Sequence, residues 1–240
     1  MSDFRHAGGG DSPLIQASSA SQIRATQAIA AVAEVEHTAQ LSKHLGSLCL
    51  NAELADVTFL VDSERLPAHR VILAARSEYF RALLFGGMRE QSESVIELKE
   101  TPLVAFKALL KYIYTSSLSL SGMKEELILE VLGLAHRYAF TQLQEAIADY
   151  LKATLTARNV CGILNMSQLF GLQTLTEACF LFADRNACQL LSSQAFLCLS
   201  ASGIEKLIAR DSFCAPEIDI FRAIRDWHLA HPEVVIVVTS

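Results

Sequence analysis

Six cysteines, at 49, 161, 179, 188, 198 and 214, and a His228-x-x-His231 pair are the side chains of this sequence with metal or redox chemistry of their own. Two histidines three apart share a helix face and could begin a zinc site. Zinc needs further ligands, and the sequence has no Cys-x-x-Cys pair, no acid or cysteine at helical spacing from the histidines, and a proline at 232 that ends their helix. The cysteines lie mostly beside apolar residues in helix-like stretches. The N-terminus lacks the apolar core of a secretory signal, so they read as free buried thiols rather than three bridges. His69 invites a general-base reading, but Ala68, Val71 and Leu73 around it suggest a structural histidine in a tight turn. No Gly-x-Ser-x-Gly or Cys/His signature accompanies it. Gly8-Gly9-Gly10 precedes no Lys-Ser/Thr and is no phosphate loop, and Glu125-Glu126 and Glu93…Glu100 read as solvated faces. The sequence therefore predicts no enzyme, no catalytic residue, no metal and no cofactor.

Chemistry of recognition is what remains, and composition bounds it. With 20 basic and 26 acidic residues the 240-residue chain carries a net charge of −6. No segment has the basic excess that phosphate binding needs, so nucleic acid is not an expected partner. No apolar run approaches the ~18 residues of a membrane span, so no membrane association is expected either. Eleven Gly and five Pro fall well below the ~12% of average chains, which predicts a mostly helical protein. The expected setting is the cytoplasm, with the nucleus as a further compartment.

The elements follow from pattern. Residues 1–33 are Ser-, Ala-, Gln- and Gly-rich and read as a disordered leader up to where the apolar pattern sets in. A helix ending near Leu48 follows, in which Leu41, Leu45 and Leu48 fall on one face. Asp56–Val61 is rich in β-branched and aromatic residues, Asp62-Ser63-Glu64 is a turn signal, and Arg65–Ala68 returns as a strand that Pro67 confines to an edge. Two short helices, Arg70–Ala75 and Ser77–Leu84, follow; Ser77 is an N-cap candidate and Gly86-Gly87 the stop. Val95–Leu98 is a third strand. From Thr101-Pro102 onward the periodicity is helical: 102–114, 124–138, 141–154, then about 158–170, 174–190, 203–210 and 216–230. The fold class is α+β to residue 155 and all-α from 156 to 232, with a tail over 233–240.

The stretch ADVTFLVDSERLPAHRVILAARSEYFRALL resembles the BTB/POZ domain. The resemblance rests on Asp56, Val57, Ala68, His69, Leu73, Ala74, Ser77, Tyr79 and Phe80 in order and spacing, and on Tyr112-Ile113-Tyr114-Thr115 later. It covers 34–155 and implies a small β-sheet flanked by helices. Residues 156–232 resemble the start of a BACK domain through Ala195-Phe196, Leu199, Leu207-Ile208, Asp211, Glu217, Phe221, Ala223 and Trp227. Similar chains continue with the rest of BACK and discoidin-like β-sandwich modules. The sequence is therefore expected to be a truncated product, a short isoform or incomplete gene model, without substrate-binding modules. Its Val234-Val-Ile-Val-Val238 run would be an aggregation liability if exposed.

The resemblance also implies sites. In this family a hydrophobic-x-Glu triplet at the place of Met88-Arg89-Glu90 contacts cullin-3, with Phe85 and Tyr114 adding to that surface; the alternatives are a solvated loop for the triplet and helix packing for the two aromatics. Asp56 and Arg70 are expected near the centre of a two-fold subunit interface with Leu41, Leu45 and Leu48; the alternative for Asp56 is a local cap. The implied function is a protein–protein interaction adaptor that dimerises and recruits cullin-3, here able to compete for cullin-3 or to pair with full-length paralogues. The rival reading is a homo- or heterodimerisation module of the transcription-regulator type with no ubiquitin role, although the zinc-finger Cys/His array of that class is missing.

Overall fold

The computed structural model describes residues 36–87 and 92–232. The leader, Met88-Arg89-Glu90 and the 233–240 tail therefore lie outside the described residues. The chain divides into two compact units, 1–43 and 44–240. The described part of the first is residues 36–43, where helix α1 (Thr38–Ser47) begins; no residue of α1 is buried.

In the second unit the alternation of Val57-Thr-Phe-Leu-Val61 does what a period of two requires. Val57, Phe59 and Val61 are buried on one face of β1 (Val57–Val61), and Leu66 and Ala68 of β2 (Glu64–Ala68) join them. Asp62 and Ser63 both take positive φ (48° and 68°), the two-residue turn whose twist suits a hairpin. β3 (Val95–Glu97) pairs with β1 in parallel, giving the order β2-β1-β3. Pro67 thus sits on an edge strand, opposite Thr58, where its missing N–H costs no ladder bond.

Helices cover this sheet. α2 (Arg70–Arg76) and α3 (Glu78–Phe85) meet at Ser77, whose Oγ accepts from the Phe80 amide at 3.3 Å and donates to the Tyr138 carbonyl at 2.9 Å. One buried hydroxyl therefore caps α3 and ties it to the end of α5 (Glu125–Arg137). α4 (Leu103–Thr115) starts after Pro102, which stands one place earlier than expected, as the extended N-cap. Phe59, Phe80, Phe106 and Tyr138 form the aromatic centre, with Phe59–Phe106 edge-to-face at 5.4 Å and Phe80–Tyr138 stacked at 5.0 Å.

His69 has the structural role its neighbours suggested. The Tyr114 hydroxyl accepts from the His69 amide at 3.0 Å and lies 2.8 Å from Nδ1, while Nε2 lies 2.8 Å from the Glu53 carbonyl. Every bond is satisfied when Nε2–H donates to Glu53 and the tyrosine donates to Nδ1. Burial pushes the Tyr114 phenol well above its ordinary value, partly offset by the His69 amide, so it stays protonated and able to donate.

α6 (Thr141–Ala153) follows Ala139, whose φ of 59° makes the sharp turn from α5. α7 (Val160–Leu169) and α8 (Gln173–Arg185) then continue the same core. Phe170 stacks on His136 at 4.7 Å, and Asn159 Nδ2 donates to Glu125 and to the Thr154 carbonyl at 2.8 and 3.1 Å, joining the helical extension to α5 and the end of α6. The helix expected over 174–190 is broken at Asn186, whose amide side chain bonds back to the Phe182 carbonyl at 2.8 Å; a short α9 (Ala187–Leu191) and a 3₁₀ turn (Gln194–Cys198) follow. Asn165 bridges the Cys198 carbonyl and the Ser200 amide, setting the start of α10 (Ala201–Ile208). Trp227 of α11 (Glu217–Ala230) is buried and donates to the Leu199 carbonyl at 2.8 Å. His231 stacks on that indole at 4.6 Å and bonds the Trp227 carbonyl through Nδ1.

All six cysteines are free, but the expectation that they are buried needs correcting: Cys161 and Cys179 are buried, whereas Cys188, Cys198 and Cys214 are exposed. Cys188 lies on α9 away from its buried Ala187, Leu190 and Leu191, Cys198 ends the 3₁₀ turn, and Cys214 lies in the connection before the last helix. Burial pushes both core thiols up to about 12, which keeps them inert.

Arg210 makes the densest ionic cluster of the helical extension. It grips Asp184 through Nε and Nη2 (2.9 Å at the shortest), reaches Glu177 at 3.3 Å, and lies 4.9 Å over the Phe180 ring, while Ser212 donates to Asp184 at 2.7 Å. Burial alone would raise the Asp184 carboxyl; the bonds from Arg210 and Ser212 and the Arg210 charge outweigh it and hold it below its ordinary value. A depressed carboxyl stabilises the fold above the ordinary carboxylate range and ceases to do so as pH falls through its folded value. Chemical unfolding against pH is therefore expected to fall less steeply in acid for Asp184→Asn than for the native chain. Tyr114→Phe leaves the His69 amide and Nδ1 unpaired, and thermal and urea unfolding should register a loss of about 1–3 kcal/mol.

Candidate functional site

Among the described residues no helix is long and apolar enough to cross a membrane, and no group of three His, Cys, Asp or Glu side chains is placed to hold a metal. The end of α3 at Phe85 is where the described surface meets the residues expected to contact a partner. α3 buries Phe80, Leu83 and Leu84 and ends with Phe85 52% exposed. Gly86 closes the helix, its amide donating to the Ala82 carbonyl; a Cβ there would collide with that same oxygen, so only glycine fits. Gly87, which directly precedes Met88-Arg89-Glu90 in sequence, takes φ 80°, a left-handed conformation that favours glycine.

Both flanks of that segment are held by one cation. Arg70 Nη1 donates to the Leu84 carbonyl at 3.3 Å and Nη2 to the Glu93 carbonyl, while Nε reaches the Asp56 carbonyl at 3.3 Å. Asp56 fixes the arginine in turn, its Oδ1 accepting from the Arg70 amide at 2.7 Å. The planar fork of a guanidinium can serve three carbonyls at once, which an ammonium cannot.

This placement bears on the expected site residues and revises the reading of Tyr114. Asp56 and Arg70, expected near the centre of a subunit interface, also contact each other within the chain, where exposed Asp56 serves the start of α2 and half-buried Arg70 bonds carbonyls on either side of residues 85–92. Tyr114 was expected beside Phe85 on a binding surface, but it is only 3% exposed and committed to His69, so its hydroxyl is a core tie. Of the apolar face of α1 and the turn after it, Leu41 is 59% exposed and Leu45 and Leu48 are half-buried. The bridging role of Arg70 was not legible in sequence, because its acceptors are backbone carbonyls at distant positions. Ile218, Phe221 and Leu229 of α11 are exposed, away from the inward stripe that ends at Trp227.

Comparison with known families gives this arrangement its context. The BTB/POZ domain matches residues 45–155, and the domain described as BTB And C-terminal Kelch (BACK) matches 160–236. BTB/POZ domain-containing protein 9 of Homo sapiens is 50% identical over 198 residues, covering 82% of this chain and 32% of the relative. The protein of the same description from Drosophila melanogaster is 50% identical over 188 residues, 78% of this chain and 26% of its own. Kelch-like protein 26 of Homo sapiens is 33% identical over 196 residues, 80% of this chain and 31% of its own. Among solved structures, the BTB domain of human Gigaxonin aligns over 49% of this chain and 96% of its own at 24% identity and a TM-score of 0.41. The chain spans about a third of the length of the curated relatives it matches. With a three-stranded sheet under helices and a helical extension continuous with it, the chain carries a BTB/POZ domain followed by a BACK domain, and the two fit a protein–protein interaction adaptor.

Proposed function

We propose that this chain is a non-catalytic adaptor that recruits cullin-3 through the segment following α3 and pairs with a second BTB chain. The observation that carries the reading is the exposed Phe85 at the end of α3, delivered by Gly86-Gly87 into Met88-Arg89-Glu90 and braced on both flanks by Arg70. An exposed aromatic beside a hydrophobic-x-Glu triplet supplies the two things a compact hot spot needs, anchor area and a directional acceptor. Bracing lowers the ordering cost of the partner-facing loop, so more of the contact energy survives as affinity. Adaptor action is proximity: tethering one protein beside another raises effective concentration without bond chemistry at this chain. The cytoplasm, with the nucleus, is the proposed setting. The shared core of the two domains supports the reading too, since a rigid extension would hold whatever follows in fixed relation to the partner.

A pull-down and titration against the N-terminal region of cullin-3 tests this. Phe85→Ser and the Met88→Ala/Glu90→Ala pair are each expected to weaken binding about tenfold or more with unchanged unfolding temperature. No binding by the native chain would favour the plain dimerisation module; native-like binding by both variants would remove the assigned surface. For self-association, sedimentation of the native chain at micromolar concentration should give a dimer, and Leu41→Asp/Leu45→Asp a monomer. A monomeric native chain would contradict the pairing.

A further inference from the structure

Among the described residues one buried side-chain nitrogen or oxygen has no hydrogen-bond partner, Nε2 of Gln168. A buried amide donor left unpaired is costly, so it calls for an acceptor from outside the chain. Gln168 stands in the last turn of α7 and lines an open cleft of about 320 Å³. The first turn of α8 and Lys206 of α10 supply the other walls. That volume falls at the small end of the ~300–1,000 Å³ typical of ligand sites.

The lining has donors to spare and few acceptors. The Ser167 hydroxyl donates to the Leu164 carbonyl and accepts from the Thr176 hydroxyl, both at 2.9 Å, so the protons of both hydroxyls are already committed. Glu177 is engaged by Arg210 at 3.3 Å, which offsets its charge. Exposed Gln173 can donate or accept and tips the balance neither way. Two donors are left over. One is the Gln168 amide; the other is the ammonium of exposed Lys206, which makes no ion pair among the described residues.

We propose that this cleft binds a carboxylate. A carboxylate only accepts, and its two oxygens can take one bond from the neutral amide and one charge-assisted bond from the ammonium. A cation would face Lys206, and an apolar group would leave the amide unpaired. A water could satisfy the amide, but it would bring Lys206 no counter-charge. Glutamine has three rotatable side-chain bonds, so its amide can turn from the wall of the cleft to a ligand seated there. The same chemistry can come from a small free acid or from an Asp or Glu side chain of a bound protein. The cleft is built from BACK-domain helices and not from the Phe85 segment, so the inference stands independently of cullin-3 recruitment.

Nuclear magnetic resonance of the full chain, isotopically labelled at glutamine nitrogen, tests it. Succinate stands for the free acid, an acetylated and amidated Gly-Glu-Gly peptide for the protein side chain, and inorganic phosphate is the control anion. The expected result is a saturating shift of the Gln168 side-chain amide signal with at least one carboxylate at millimolar concentration. Loss of that signal in Gln168→Met assigns it. Lys206→Met is expected to weaken the binding about tenfold or more at unchanged unfolding temperature. Saturation by succinate alone identifies a small acid as the ligand, and saturation by the peptide identifies a protein side chain. No saturating shift with either carboxylate, equal binding of phosphate, or native-like binding by Lys206→Met would each overturn the proposal.

Discussion

A single guanidinium sets the geometry of the surface this domain presents. Arg70 serves the carbonyls of Asp56, Leu84 and Glu93, which belong to the entry of β1, the end of α3 and the approach to β3. The partly buried bonds to Leu84 and Glu93 match acceptors that need donors with a half-buried cation that needs acceptors. Asp56 anchors the start of the same helix that carries the arginine, so the clamp is held from both sides. The 85–92 segment thus departs from and returns to fixed points, whatever partner it meets.

The rest of the fold keeps those points fixed. The third strand of the sheet is only three residues long, and the aromatic packing of Phe59, Phe80, Phe106 and Tyr138 beneath α3, α4 and α5 holds the sheet to its helices. Ser77 and the His69–Tyr114 pair lock the joints between sheet and helices with bonds that are buried and fully used. The helical extension enters the same core through α7 and α8, with Phe170 on His136 and Asn159 on Glu125 at the junction.

Much of this architecture was legible in the residues because local chemistry decided it. The Asp62-Ser63 hairpin, Pro67 on an edge strand, the Ser77 cap and the Gly86-Gly87 stop follow from backbone preferences that distant contacts did not override. The break at Asn186 was not legible, since Asn tolerates helix interiors and turns alike until its side chain finds the Phe182 carbonyl. The site divided along the same line. Exposed Phe85 at a helix end could be expected from pattern. The inward commitment of Tyr114 depends on His69, 45 residues earlier, and the clamp by Arg70 depends on carbonyls that carry no sequence signature.

Hydrogen exchange of the chain alone and saturated with the N-terminal region of cullin-3 tests the central claim most directly. The account predicts new protection confined to the end of α3 and residues 85–93, with the Ser77 and His69–Tyr114 joints unchanged. Protection concentrated elsewhere on the chain, or none at saturating partner, would contradict it.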